Sequence, residues 1–278
     1  MTNFSVNKER CLKCGECIED CVMNIIAFEG QYPAIIPGKE NECVQCEHCF
    51  AVCSEGAVSI LGLNPDNAIR LEGNLPETSK LEVLMKGRRA VRRYLKKPVP
   101  WETISGLLDV VANSPTGRNT RQNLFTVVSD PLVMDKIKQE TMEGVRSAVA
   151  NYALPKGFEF YSFVVDAWDA GKDIIFRGAP HMLVVSSPKD GPSPEADTLI
   201  ALTYFELLAQ SMGIGTLWNG LLKWAVTAVV PELRKKIGIP EDHYIGYCMV
   251  FGRPAVRYYR TVQRGPALIN RVTSLKQQ

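Results

Sequence analysis

Two cysteine groups constrain this chain more than any other feature. Cys11, Cys14, Cys17 and Cys21 follow C-x2-C-x2-C-x3-C, and Cys43, Cys46, Cys49 and Cys53 repeat that spacing 32 positions later. The apolar residues behind each group repeat as well, Ile25-Ile26 matching Ala57-Val58. Self-similarity at a fixed period indicates a duplicated unit. The start, MTNFSVNKER, lacks the apolar stretch of a secretory signal, so the expected setting is the cytoplasm, where thiols stay reduced. Metal binding is then a better reading of these cysteines than disulfides.

Three thiolates at i, i+3 and i+6 can wrap one corner of an iron–sulfur cube, while the fourth points away to complete a second cube. One cluster then takes Cys11, Cys14, Cys17 and Cys53, and the other takes Cys43, Cys46, Cys49 and Cys21. Zinc also accepts four thiolates, but its motifs use paired C-x2-C knuckles rather than three cysteines in a row plus one. His48, inside the second group, reads as a solvent-side spacer, because the ligand count is complete without it. The segment resembles a bacterial two-cluster ferredoxin over roughly residues 5–60, which implies two [4Fe-4S] clusters. It departs from that pattern after the fourth cysteine of each group, where the usual proline is Val22 or Ser54.

Charge divides along the chain. Residues 1–60 hold four basic side chains against nine acidic ones, so they net −5, and the rest of a chain totalling +2 carries +7. The total gives no bias toward nucleic acid or membrane, and no apolar run approaches the ~18 residues of a membrane span. An acidic electron carrier joined to a basic body is consistent with internal docking.

Residues 61–80 are rich in Pro, Gly and Asn without a period, and read as a linker. Next come Lys86, Arg88, Arg89, Arg92, Arg93, Lys96 and Lys97. Alone, this stretch suits a solvated or nucleic-acid-binding face, or a phosphate site gripped by arginine forks. A membrane-surface helix fits poorly, because few large apolar residues accompany the charges. Beyond Pro100, apolar residues at 101, 104, 107, 108 and 111 have helical spacing. A Ser/Pro/Gly/Asn loop and an apolar strand, Leu124 to Val128, follow.

The order Arg88-Arg89-Ala90-Val91-Arg92, helix, Pro115-Thr116-Gly117-Arg118-Asn119-Thr120-Arg121-Gln122, strand resembles the nitroreductase family of flavoproteins. The long apolar helix ending in Gly213-Ile214-Gly215-Thr216, and the strand YIGYCMVFG with its basic tail, extend the likeness over most of residues 86–265. The family has serine where this chain has Ala90, and one residue fewer between the asparagine and the glutamine, so Gln122 is not carried over. The resemblance implies an α+β fold with a central sheet and flanking helices, and FMN held non-covalently in a homodimer. Arg88, Arg89 and Arg260 (or Arg257) would hold the phosphate. Arg92 would lie near the N1/O2 edge of the ring, and Ala90 would stand where the family's serine bonds the phosphate or ribityl chain. Gly213, Ile214, Gly215 and Thr216 would pass close to the ring, where glycine lets backbone approach. Pro115, Thr116 and Asn119 would reach the flavin from the partner subunit. The chemistry would lie at flavin N5, so no catalytic side chain is expected.

The division expected is a two-cluster ferredoxin domain over 1–60, a linker over 61–85 and an FMN domain over 86–278. Such a chain would pass electrons from a donor, reduced ferredoxin or NAD(P)H, through the clusters and flavin to a small electrophile such as a nitro compound or quinone. Two other readings stay open: an electron-transfer subunit serving a protein partner, and a cluster-based redox sensor binding nucleic acid through residues 86–97. No Rossmann G-x-G-x-x-G follows a strand. His181, His243 and Cys248 read as structural, and the aromatic-rich residues 152–176 as either a core insertion or a substrate lid.

Overall fold

The computed structural model describes residues 2–275. The cysteine-rich segment has the same order of elements twice. Strand β1 (Ser5–Val6), helix α1 (Glu16–Glu19) and strand β2 (Ile26–Glu29) are followed by β3 (Tyr32–Ile35), α2 (His48–Ala51) and β4 (Val58–Ser59). The first strand pairs with the last, antiparallel, and β2 pairs with β3 through a two-residue turn. Gly30 supplies the positive φ, 62°, that this turn requires. Helices α1 and α2 begin two residues after the second cysteine of each group, so each carries the third cysteine inward. Cys17 and Cys49 join Ile25, Ile26, Val58 and Ile60 in a small core of their own.

Residues 61–77 hold one short 3-10 turn, Pro65–Asn67, tied back to the cysteine unit by a 2.7 Å ion pair between Arg10 and Asp66. Helix α3 (Thr78–Gly87) then takes the last third of the stretch expected to be linker up to 85. It packs against a later helix, and this tertiary contact, rather than any period of its own, accounts for a helix that composition hides.

The remaining elements are α4 (Trp101–Val111), β5 (Leu124–Val128), α5 (Pro131–Ala150), α6 (Tyr161–Asp169), β6 (His181–Pro188), α7 (Pro194–Ser211), β7 (Gly215–Trp218), α8 (Gly220–Trp224), α9 (Glu232–Lys236) and β8 (His243–Gly252). Four strands form one antiparallel sheet in the order β5-β6-β8-β7. Alternate residues of a strand face opposite sides, and here both sides are apolar. Met182, Val184, Cys248 and Val250 meet α5, α6, α8 and α9. Leu183, Val185, Met249 and Phe251 meet α4 and α7. A sheet covered on both faces explains why β6 and β8 read as continuous apolar runs. Arg88 to Pro98 form no helix. They run as an extended strap, with Val91 N–H on the Thr216 carbonyl and Leu95 N–H on that of Arg253.

Residues 152–176 divide between the two readings offered for them. Tyr161 and Phe176 are fully buried, and Phe158 and Phe160 pack on Trp224, whereas Tyr152 and Phe163 are exposed. His181 is buried against Phe251, its Nε2 accepting from Val99 N–H at 2.8 Å. Cys248 is buried in the sheet, where burial pushes its thiol up to about 12. No helix among the described residues is long and apolar enough to cross a membrane.

Candidate functional site

The eight cysteines of the two groups line two separate cavities. Cys11, Cys14, Cys17 and Cys53 face one, beside Leu12, Pro33 and Val58. Cys21, Cys43, Cys46 and Cys49 face the other, beside Met23, Ile26 and Ile35. Each fourth cysteine has crossed to the opposite group. Burial pushes the Cys17 thiol up to about 11, with Cys53, Cys11 and Cys14 of its own quartet adding to the effect. Burial likewise takes Cys49 up to about 12, helped most by Cys46 and then by Cys21. Two backbone N–H groups already point at sulfur: Ala57 N–H donates to Cys53 Sγ (3.1 Å), and Gln45 N–H to Cys43 Sγ (3.4 Å). His48 is exposed, with its Nδ1 3.2 Å from the Cys46 carbonyl. Cys14 is the one exposed thiol of the nine. No three His, Cys, Asp or Glu side chains among the described residues are grouped as ligands of a single metal ion. The thiols stand around cavities instead.

A third opening, a cleft of about 590 Å³, lies in the larger unit. Its walls come from α3 (Val83, Leu84, Gly87), from Val91 of the strap, from Gly213 and Ile214 behind α7, and from residues 254–261, including Arg257 and Arg260. Its volume falls within the roughly 300–1,000 Å³ usual for small-molecule sites. Three stretches singled out in the sequence, the basic run, the Gly213 turn and the basic tail, thus converge on one place, joined there by α3. Gly213 turns the chain out of α7 at φ 70°, and Gly215 is required by contact: a Cβ there would stand 2.5 Å from Val91 Cγ2 and 3.0 Å from Pro254. Tyr94 locks the strap by donating to the Val91 carbonyl at 2.8 Å, and burial raises its phenol well above the ordinary range.

The arginines of the strap differ in what they touch. Arg88 pairs with Glu206 of α7 at 3.2 Å, and Thr216 Oγ1 donates to the same carboxylate oxygen. Arg89 folds back onto the Arg88 carbonyl, Arg92 is exposed, and Ala90 offers its carbonyl 3.5 Å from the Tyr258 hydroxyl. Glu206 did not stand out in the sequence, although an acid within the stripe Leu202, Phe205, Ala209 marks a buried charge that needs a partner.

Pro115, Thr116 and Asn119 are elsewhere. Their loop is fixed to the N-terminal end of α7, where Asp197 accepts from Gly117 N–H at 2.8 Å. The turn Gly213–Thr216 follows the other end. Eighteen residues of helix at 1.5 Å each set the two apart by ~27 Å. The loop faces the cysteine unit: Asn119 Nδ2 donates to the carbonyls of Val44 (3.0 Å) and Gln45 (2.9 Å), and Arg121 stands 3.8 Å from Glu47. Gln122 is exposed.

With this geometry in view, comparison with known proteins is decisive for the larger unit. A model of the nitroreductase family matches residues 85–253, more than half of the chain. The chain belongs to the nitroreductase family. It is 25% identical over 178 residues to an iodotyrosine deiodinase of Nematostella vectensis, covering 62% of this chain and 66% of that protein, just under two thirds of its length. It is 26% identical over 140 residues to an iodotyrosine deiodinase of Thermotoga neapolitana, covering 48% and 69%. Among solved structures, an FMN-bound nitroreductase from Bacteroides fragilis superposes with a TM-score of 0.56 at 22% identity, covering 70% of this chain and all of that one. These likenesses establish the nitroreductase α+β fold. Both cysteine groups precede the family's match. A 48-residue stretch of the chain is 31% identical to an uncharacterized ferredoxin of Methanocaldococcus jannaschii, covering 17% of this chain and 74% of that protein.

Proposed function

We propose that this nitroreductase-family enzyme is an FMN-dependent oxidoreductase whose own N-terminal domain, residues 1–60, carries two [4Fe-4S] clusters and feeds the reduction of a small electrophile such as a nitro compound or quinone. The observation that carries the reading is the partition of eight thiols into two cavities, each completed by the fourth cysteine of the opposite group. Thiols spread round a cavity suit the corners of an iron–sulfur cube better than one tetrahedral ion, whose sulfurs would converge to about 2.3 Å from a single point. The N–H groups directed at Cys43 and Cys53 fit the same role. Short likeness to a ferredoxin adds weight.

For the flavin, the donor set of the cleft fits a phosphorylated, planar ligand. Arg260 and Arg257 line it, Arg88 and Arg89 lie between its lining residues Gly87 and Val91, and guanidinium forks match phosphate oxygens. Gly213 and Ile214 offer a close backbone wall, Gly215 and Thr216 continue the chain behind them, and Arg92 is the cation assigned to the ring's N1/O2 edge. Pro115, Thr116 and Asn119 lie too far along α7 to share a flavin with these groups in one chain, so the reading includes a homodimer in which the partner's loop completes the site. When bound, the clusters carry single electrons and FMN interconverts single electrons and pairs. Exposed Cys14 makes the first quartet the outer one, nearest an external donor. The second quartet is the one bonded to the larger unit.

Anaerobic mixing of the purified holoprotein with reduced ferredoxin, and separately with NAD(P)H, tests the reading. Nitroaromatic, quinone and iodotyrosine acceptors would follow. Reduction of clusters and flavin by ferredoxin, with turnover of at least one acceptor, is expected. Fast flavin reduction by NAD(P)H with clusters left oxidised would contradict the proposed role of the clusters.

A further inference from the structure

We infer that Asn119 is a positioning residue that tunes the inner cysteine quartet from across the joint between the two units, by holding the peptide whose N–H points at Cys43 sulfur. This rests on the reading of Cys21, Cys43, Cys46 and Cys49 as ligands of an iron–sulfur cluster. Val44 and Gln45 are the two residues between ligands Cys43 and Cys46. The Val44 carbonyl and the Gln45 N–H belong to one peptide unit, which is trans, as no cis bond occurs among the described residues. In a trans peptide these two groups point in opposite directions. Here one end accepts from Asn119 Nδ2 at 3.0 Å while the other donates to Cys43 Sγ at 3.4 Å. A hydrogen bond received at the carbonyl polarises the peptide and strengthens the bond its N–H makes. The chain sulfur, N–H, carbonyl, Asn119 therefore links the larger unit to one ligand of one quartet.

The residue type is specified. Carbonyls only accept, so two of them at one atom require an NH2 group and fix which way the amide faces. Asn119 also sits at φ 54°, a conformation asparagine tolerates better than most residues. Its neighbours Arg118 and Arg121 have φ 53° and 51°, and across the joint Gln45 and Glu47 have φ 53° and 62°. Three non-glycine residues in the left-handed region on the 115–121 loop is strain of the kind held at functional sites, whereas the φ of Gln45 and Glu47 recurs at Lys13 (60°) and Gly15 (84°) of the first group. Asp197 anchors the loop from behind through Gly117 N–H, and Thr116 Oγ1 accepts from Arg121 N–H. The loop is braced at its base and bonded at its tip to the stretch between two ligands.

Redox titration of the anaerobic holoprotein, followed by the electron-spin resonance of the reduced clusters, provides the test. Asn119→Gly deletes the amide without disturbing a positive φ. Asn119→Asp keeps the shape and replaces the donor with an acceptor. Hydrogen bonds to cluster sulfurs set cluster potential. One of two cluster transitions is expected to move to more negative potential in both variants, while the other stays. Loss of half the iron, with the remaining transition unmoved, would support the same assignment. Two unmoved transitions, a common shift of both, or equal loss of iron from both quartets would overturn it. A wild-type protein without iron would instead defeat the underlying reading of the quartets, and iron assay separates that case.

Discussion

At the scale of single residues, the buried carboxylate of Glu206 organises the wall of the cleft. Its side chain is 8% exposed and is met by Arg88 and the Thr216 hydroxyl. Removing Arg88 leaves a buried charge without its cation, which costs about 3 kcal/mol. Arg88→Ala should therefore lower stability by that amount in urea denaturation, beyond any loss of flavin. His181 predicts a pH effect. Burial holds its imidazole below the ordinary value, so the unfolded chain binds the proton first as pH falls. Its contribution is intact above about pH 6.5 and is lost as pH drops below that. His181→Gln, whose amide oxygen can accept from Val99 N–H, should flatten the decline in stability between about pH 7 and pH 5.5. An unchanged slope would place that decline in other groups. The sequence identified His181 and Cys248 as structural. It did not single out Glu206 or Tyr94, because what each does depends on a partner, 118 residues away for Arg88 and Glu206.

Whole elements tell a similar story. Helix α4, strand β5 and the long α7 were legible because their apolar periods or runs reflect faces that pack on one sheet. Helix α3 was not, since its mixed sequence is held by contact with α7. The basic stretch 86–97 gave its charge in the sequence but not its shape, because an extended strap is fixed by bonds to Thr216 and Arg253 rather than by local pattern. Gly215 of β7 packs tightly against that strap at Val91. Gly215→Ala would push a methyl into Val91 and Pro254, and overpacking of this kind costs roughly 1–3 kcal/mol. The expected result is a lower melting temperature together with reduced flavin retention after gel filtration. A variant that melts and retains flavin like wild type would show that the strap can yield at no cost.

Across the whole molecule, the two halves are joined at the loop 115–121, while the Arg10–Asp66 pair ties the intervening segment to the cysteine unit. The cysteine spacing alone implied how the quartets divide, because the offset of the fourth ligand carries that geometry. What the sequence could not convey is that Asn119 lies against the second quartet, since the two are 70 or more residues apart. An acidic unit of net −5 against a body of +7 fits the ion pair seen between Glu47 and Arg121. The central claim is that one chain combines two four-iron clusters with a flavin. Anaerobic purification followed by iron, acid-labile sulfide, zinc and flavin determination tests it most directly. About eight iron, about eight sulfide and about one FMN per chain are expected. Two zinc ions per chain, or thiols with neither metal, would contradict the account.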